Sequence, residues 1–279
     1  MKADLHCHSY FSDGKHSPEY LLRRAKELDI THIAITDHDF ITPVNKSLAE
    51  DYHVQVIPGV EISCNWENQE IHVVGLGIDI QDKNLKILLE LQREARKKRI
   101  FDIDKLLEKN GIKGLSTYFE SLPCISKTRS HVADFLVSSR KSKSRAHAFS
   151  KYLGKKGRAF VSSEWISLSQ TNEAIIAAGG ISVLAHPSKY PLNKRRFNEL
   201  IETFKQKGGD AIEVSYGGIN AAIQKNLEEI AINKELYVSA GSDFHDAKAH
   251  WTDLGKFPAI TSKAKKQAIW HHPRWPPQS

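Results

Sequence analysis

The sequence predicts an α/β protein made of repeated strand–helix units and interrupted by one helical insertion. Three observations predict it. Short β-branched or apolar runs alternate with stretches of 3.6-residue periodicity over residues 3–80. The same alternation resumes near residue 172, and the stretch between is helical, polar and basic.

The first run, ADLHCH, reads as a strand, and SPEYLLRRAKELD after it reads as a helix. Ser17 suits the N-cap, Pro18 the first helical position, and Leu21, Leu22, Ala25 and Leu28 fall on one apolar stripe. THIAITDHD is a second strand ending in acidic and imidazole groups, and residues 44–50 form a short helix. HVQVIPGVEIS is a third strand that ends at Glu61, CNWENQE a turn, and IHVVGLGI a fourth strand. Residues 82–111 read as helix, with Leu85, Leu88, Leu89, Leu91, Leu106 and Leu107 on recurring faces. A helix through NEAIIAAGG, the strand ISVLAHP, a helix near KRRFNELIETFKQKGG, the strand DAIEVSY, a helix around NAAIQKNLEEIAINKE and the strand LYVSAGSDFH complete the pattern. About seven strands with helices between them point to a parallel sheet, open or closed into a barrel. The tail IWHHPRWPPQS reads as an irregular surface segment; its His271 and His272 are metal-competent, but a solvated tail is the better reading.

Composition narrows the class. The 279 residues are 40% hydrophobic and 26% charged, an ordinary balance for a globular chain, and no run of eighteen apolar residues is present. The N-terminal residues lack the charged, apolar and small-residue pattern of a signal peptide. Cys7, Cys64 and Cys124 are odd in number and share no metal or redox spacing, so reduced thiols in a cytoplasmic protein are expected, with no membrane and no disulfide-linked partner. The net charge of +7 is unevenly spread. Residues 83–158 carry 20 Lys and Arg against 7 Asp and Glu, a net of +13, and the remainder is at −6. A localised excess of this kind favours a polyanionic partner.

The opening stretch DLHCHSYFSDG raises the question of chemistry. In an extended strand His6 and His8 share a face while Cys7 points away, so one ion can be gripped by both. For a lone H-x-H, half-buried polar residues at a strand end are the commoner explanation. Here, however, other ligand-competent residues recur at the ends of later strands: Asp13, His38 in TDHD, Glu61 in GVEIS, His186 in LAHP, and Asp243 with His245 in GSDFH. In α/β sheets and barrels, C-terminal strand ends converge on one face. His72 precedes its strand, but a hairpin at the ENQ turn brings it back to the end occupied by Glu61. Six imidazoles and three carboxylates exceed what one tetrahedral zinc needs, and suffice for two or three ions with a bridging carboxylate.

These motifs, DLHCHSYFSDG, ITDHD, PGVEIS, IHVVG, AHP and GSDFH, resemble in order those of the PHP (polymerase and histidinol phosphatase) phosphoesterases, over residues 3–80 and 175–257. Within the family the chain most resembles the branch with a helical insertion, that of the 3′,5′-nucleoside bisphosphate phosphatases and 5′→3′ exoribonucleases of the RNase AM type. The resemblance implies a distorted (β/α)7 barrel, with residues 1–82 and 159–279 as the catalytic part and 83–158 as a basic helical insertion contributing to substrate binding. It implies one ion held by His6, His8, Glu61 and Asp243, a second by Glu61, His72 and His186, and a third by Asp13, His38 and His245. Catalysis is expected to fall to Glu61, His8, Asp243 and His186, around a metal-activated hydroxide bridging two ions. Mixed imidazole and carboxylate ligands suit Mn²⁺, Zn²⁺ or Fe²⁺; the resemblance favours Mn²⁺.

For the substrate, Arg129 and His131 in SKTRSHVADFLV, at the start of an apolar helix, are the candidate phosphate clamp, and the resemblance supports such an R-x-H element. The plainer alternative is a solvated Arg129 and a His131 that caps the helix. Basic runs such as REARKKR and SRKSKSR would steer RNA, unless each is merely a solvated helix face. The expected activity is removal of phosphate from nucleotides with 3′ and 5′ phosphates, with 5′→3′ trimming of short RNA. A histidinol phosphate phosphatase is the alternative, against which the basic insertion argues. A non-catalytic RNA-binding or polymerase-accessory metal module is the third reading, against which the complete ligand set argues.

Overall fold

A computed structural model of the chain describes residues 1–249 and 252–276; the last residues of the tail, Pro277, Gln278 and Ser279, lie outside the described residues. The strands form two sheets. In the first, β1 (Ala3–Cys7), β2 (His32–Ile35) and β3 (Gln55–Val56) run parallel in that order. The second has β4 (Gly59–Trp66), β5 (Gln69–Leu76), β6 (Ile181–Leu184), β7 (Ala211–Ser215) and β8 (Tyr237–Ala240) in sequence order.

Two features depart from a single parallel sheet. The run HVQVIPGVEIS is split into β3 and β4 around Ile57 and Pro58, because proline has no N–H to offer a ladder. Eight strands therefore stand where about seven were expected. The second departure is β5, which is antiparallel to both β4 and β6, whereas β6, β7 and β8 are parallel. Its hairpin turns at Glu67 and Asn68, both at positive φ (45° and 63°), the geometry of a two-residue turn matched to strand twist. Among the described residues no closed barrel results: the sheets meet through single bridges, Cys7 with Phe244 and His38 with Glu61.

Helices cover the sheets. α1 (Pro18–Glu27) starts as its sequence predicts, with Ser17 Oγ accepting from the Tyr20 N–H at 3.2 Å, and α2 (Lys46–Asp51) is short. Then come α3 (Lys83–Lys109), α4 (Leu115–Glu120), α5 (Arg129–Ser138) and α6 (Arg145–Ala148), which runs on into a π-turn at Phe149–Leu153. After these, α7 (Leu168–Ala177), α8 (Lys194–Gln206) and α9 (Ala221–Asn233) alternate with β6, β7 and β8. The main core packs the β4–β5 hairpin, through Ile62 and Val73, against Phe204, Ile212 and Leu227. A separate cluster within the basic stretch joins Ile103, Leu107, Leu115, Val132, Leu136 and Leu153.

α3 belongs to both cores. Leu85 and Leu89 pack in the main one, and Ile100, Ile103 and Leu107 in the other. Between them three polar side chains are buried, Gln92 at 2%, Arg96 at 6% and Arg99 at 7% exposure. Gln92 donates to the Ser63 carbonyl (2.5 Å), and Arg96 to Asp39 Oδ2 and Ser63 Oγ (both 2.7 Å). The run REARKKR is thus only in part a solvated face, since Arg96 and Arg99 turn inward while Lys97 and Lys98 face solvent.

The tail is not a loose surface segment either. Ile269 is fully buried, Arg274 donates to the Gly180 carbonyl (2.6 Å) and to Asp210 (2.5 Å), and His272 lies 3.4 Å from Asp210. Its Pro and Trp composition hid the buried Ile269, which continues the buried Ala264 and Ala268 just ahead of the tail. Among the described residues no helix is long and apolar enough to cross a membrane, and the three cysteines are unpaired.

Candidate metal centre

All nine residues singled out by their position at strand ends come together in one place. His6 lies in β1 and His8 just beyond it, both fully buried, while Cys7 between them packs among Leu21, Leu22 and Ile33. The loop after β1 brings Asp13, the turn after β2 brings His38, and β4 carries Glu61 near its start. In the hairpin Glu61 pairs with Val74, and Ser63 with His72, so the His72 imidazole comes alongside Glu61. His186 follows β6, and Asp243 and His245 follow β8.

Local backbone geometry aims these groups. His186 and Asp243 hold positive φ (29° and 52°), as does Asp39 (48°), a conformation non-glycine residues adopt only where surroundings enforce it. Asp39 is held by the Ser63 N–H and by Arg96, and its own N–H donates to the Glu61 carbonyl at 2.8 Å. Gly241, in GSDFH, passes so close to β1 that a Cβ there would lie 2.4 Å from that of His6.

Glu61 is the hub. Its Oε1 lies 2.9 Å from both His72 Nδ1 and His186 Nε2, and its Oε2 lies 2.9 Å from His38 Nδ1 and 3.4 Å from His8 Nε2. Ligand atoms fall into four overlapping groups, each within 4.8 Å: His8, Asp13, His38 and His245; His6, Glu61 and His186; His6, His8 and Asp243; and His38, Glu61 and His72. Glu61 thus reaches beyond the two implied ligand sets that contain it, since it also approaches His38.

The donor set fits divalent metal ions. Asp13 Oδ1, His38 Nδ1 and Glu61 Oε2 are buried without a hydrogen-bond partner, although the last two are only 2.9 Å apart. Atoms that crowd together without aligning for hydrogen bonds are arranged to converge on a common cation. His6 Nε2 and His8 Nε2 likewise face each other at 3.2 Å. Their outer nitrogens are held as ligand histidines require: His6 Nδ1 lies 3.0 Å from Glu213 Oε1, and His8 Nδ1 3.3 Å from Ser12 Oγ. His245 Nδ1 donates to the Asp243 carbonyl at 2.8 Å, leaving Nε2 to face Asp13.

The electrostatics agree. Burial alone would raise the Glu61 and Asp13 carboxyls, but surrounding imidazoles override it, His38, His72 and His6 for Glu61 and His38 and His245 for Asp13, and hold both well below the ordinary range. Asp243 is likewise held low against burial by Lys189 and His8. Burial, with His245 nearby, pushes His8 down to about 3, so it stays neutral and ligand-competent. Burial opposes charge on His72 and His245 too, but Glu61 and Asp13 respectively override it and raise both to about 9.

That gives a measurable consequence. Without metal, His72 and His245 carry protons at neutral pH, and an ion that takes those nitrogens expels them. Apparent metal affinity should therefore rise with pH until it approaches 9. Calorimetric titration of the metal-free protein with Mn²⁺ near neutral pH, in two buffers of different ionisation enthalpy, is expected to show proton release; equal heats in both would contradict this.

Several residues outside the sequence-derived set support the centre. Glu213 in β7 is 2% exposed, accepts from His6 Nδ1, and accepts from the His186 backbone N–H at 2.6 Å. An acid in the middle of the otherwise apolar run AIEVS was its one sequence signal. Asp37 accepts from the N–H groups of Ser9 (2.9 Å) and Ser12 (3.2 Å), tying down the loop that carries Asp13. Lys189 is ion-paired with Asp243.

The two candidate substrate residues separate. Arg129 lines a small cleft with Asp13, His38 and His72, and donates to Glu70 at 3.2 Å. His131 is 3% exposed and lies in the first turn of α5, where its Nδ1 accepts from the Thr128 N–H at 3.1 Å in a capping box. Burial lowers it to about 4.

Comparison with known proteins agrees with this geometry. The family model described as PHP domain matches residues 4–216. A 5'-3' exoribonuclease of Haemophilus influenzae is 38% identical over 257 residues, covering 91% of this chain and 93% of that protein. A 3',5'-nucleoside bisphosphate phosphatase of Chromobacterium violaceum is 34% identical over 258 residues, 90% of each. Among solved structures, an amidohydrolase from Chromobacterium violaceum, with bound sulfate and no metal, superposes with a TM-score of 0.89 at 32% identity, over 97% of this chain and 95% of that one.

Proposed function

This chain belongs to the PHP domain family, and from that premise we propose that it is a metal-dependent phosphoesterase that removes phosphate from nucleosides carrying 3′ and 5′ phosphates and degrades short RNA from the 5′ end. The observation that carries the reading is the convergence of six imidazoles and three carboxylates around Glu61, in a chain similar over nine-tenths of its length to enzymes of those two names.

Two or three divalent ions are proposed to sit among these ligands, with Mn²⁺ favoured over Zn²⁺ and Fe²⁺. Bound there, they would acidify a water, orient the phosphorus and neutralise charge on the attacking and leaving oxygens. The chain's own part is to hold this arrangement rigid. Glu61 presents Oε1 to His72, His186 and His6 and Oε2 to His38 and His8, which suits it to bridge. Glu213 fixes the tautomer of His6, and His8, Asp243 and His186 complete the wall next to Glu61. Arg129 faces the same cleft and supplies a cation for a phosphate.

The separate hydrophobic cluster of α3 to α6 supports a division into a catalytic part, residues 1–82 and 159–279, and a basic insertion, 83–158, with the start of α3 shared, since Leu85 and Leu89 pack in the main core. The bridges between the two sheets support reading them as a distorted (β/α)7 barrel with open seams. Three unpaired cysteines favour a reducing, cytoplasmic setting.

The test is Mn²⁺-dependent phosphate release from adenosine 3′,5′-bisphosphate, AMP, histidinol phosphate and short 5′-phosphorylated RNA, paired with metal analysis of the purified protein. The bisphosphate and the RNA are expected to exceed the other two in kcat/KM by at least tenfold. A preference for histidinol phosphate would reassign the enzyme, and no release from any of them would leave a non-catalytic module.

A further inference from the structure

Asp13 reaches the candidate metal centre from the loop after β1, and that loop is fastened in part by the basic stretch. The Phe11 carbonyl accepts from the Ile125 and Ser126 N–H groups, both at 2.9 Å, and Lys15 is ion-paired with Asp134 of α5. Alongside these anchors Thr128, the residue before α5, donates from Oγ1 to Asp13 Oδ2 at 3.1 Å. Both residues are buried, Asp13 at 3% and Thr128 at 6% exposure. A hydroxyl has one proton to give. Its other neighbour, His131 Nδ1 at 3.2 Å, already accepts from the Thr128 N–H, so the hydroxyl proton is left for the carboxylate. The second oxygen, Asp13 Oδ1, has no hydrogen-bond partner and lies 3.3 Å from His245 Nε2 and 3.7 Å from His38 Nε2. One oxygen is tied, and the other is offered to the imidazoles.

We propose that Thr128 is a positioning residue for the metal centre: its hydroxyl fixes the Asp13 carboxylate so that Oδ1 faces the ion placed among Asp13, His38 and His245. This rests on the metal-dependent reading above and deepens it, because the basic stretch then builds one ion site as well as meeting the substrate. An unpartnered carboxylate turns about χ2 in a broad, nearly two-fold well, so neither oxygen is committed to an ion. The Thr128 backbone is itself held by the bond from its N–H to His131, and its hydroxyl selects the carboxylate orientation before an ion arrives. Among the described residues Thr128 hydrogen-bonds to none of the other eight candidate ligands, so ions held through Glu61 are spared.

The experiment is calorimetric titration of the metal-free protein with Mn²⁺ for the wild type, Asp13→Asn, Thr128→Val and Thr128→Ser, with a thermal melt of each metal-free protein. Asp13→Asn identifies the binding step that belongs to Asp13, by losing it. Thr128→Val, of nearly the same shape but without the donor, is expected to weaken that step about ten- to a hundredfold and the remaining steps less than about threefold. Thr128→Ser, which keeps the hydroxyl, should return the step to within about threefold of the wild type. A Thr128→Val protein that melts lower yet keeps this step at wild-type affinity would leave Thr128 a helix cap only and overturn the proposal. Equal weakening of every step, or no recovery in Thr128→Ser, would overturn it too. If Asp13→Asn loses no step, Asp13 is not a ligand and the positioning role falls with it. If the wild type takes up no Mn²⁺, the metal-dependent reading fails first.

Discussion

Glu61→Ala is expected to abolish turnover on every phosphate ester, lowering kcat by more than about a hundredfold, since losing even a residue that only orients a metal ligand costs ten- to a hundredfold. Its two oxygens reach five imidazoles of the site, His72, His186 and His6 from one and His38 and His8 from the other. Removing them leaves those imidazoles without their shared counter-charge, so His72 should fall from about 9 toward the ordinary histidine range. Two measurements check this, phosphate release with the bisphosphate and with p-nitrophenyl phosphate, and metal content per chain. A variant with near-normal kcat on either ester would remove Glu61 from the centre.

Glu213→Ala is expected to act through metal affinity instead. Glu213 touches no proposed substrate position but fixes His6 Nδ1 and the His186 N–H from behind. Partners of this kind typically contribute ten- to a hundredfold to metal affinity. The Mn²⁺ concentration giving half-maximal activity should rise by about that factor, while kcat at saturating Mn²⁺ recovers most of its value. Because the change leaves two buried donors unsatisfied, folding stability should also fall by about 1–3 kcal/mol per donor. Glu213→Gln, which keeps an acceptor for His6, should shift the Mn²⁺ requirement less. An unchanged metal requirement in both variants would make Glu213 merely a core acid.

Much of this was readable from the chain. α1 was plain because a cap, a helix-starting proline and an apolar stripe agree at Ser17, Pro18 and Leu21. The convergence of the candidate ligands was readable because polar residues ending β-branched runs gather where strand ends meet. What hid were features in which one residue overrides its neighbours. Pro58 breaks an apolar run that otherwise reads as a single strand, whereas the reversal into β5 at Glu67 and Asn68 was legible as a hairpin at the ENQ turn. His131 was ambiguous because a histidine at the third helical position can reach outward or cap backward, and only the loop ahead of it decides. Arg96 and Arg99 were hidden by composition. In a basic run nothing in the sequence marks which cations face Asp39 and Glu70 and which face water.

The placement of α3 bears on how freely this enzyme can be rebuilt. One rod of 27 residues is rooted in two hydrophobic clusters and, midway, clasps Ser63, Asp39 and Glu70, which flank the candidate metal ligands. The basic stretch is therefore not a cassette to be cut out or traded between relatives at residues 83 and 158. Its part up to Arg99, about five turns, packs against the candidate metal centre, and a graft that respects the chemistry must leave that part in place and begin beyond Arg99.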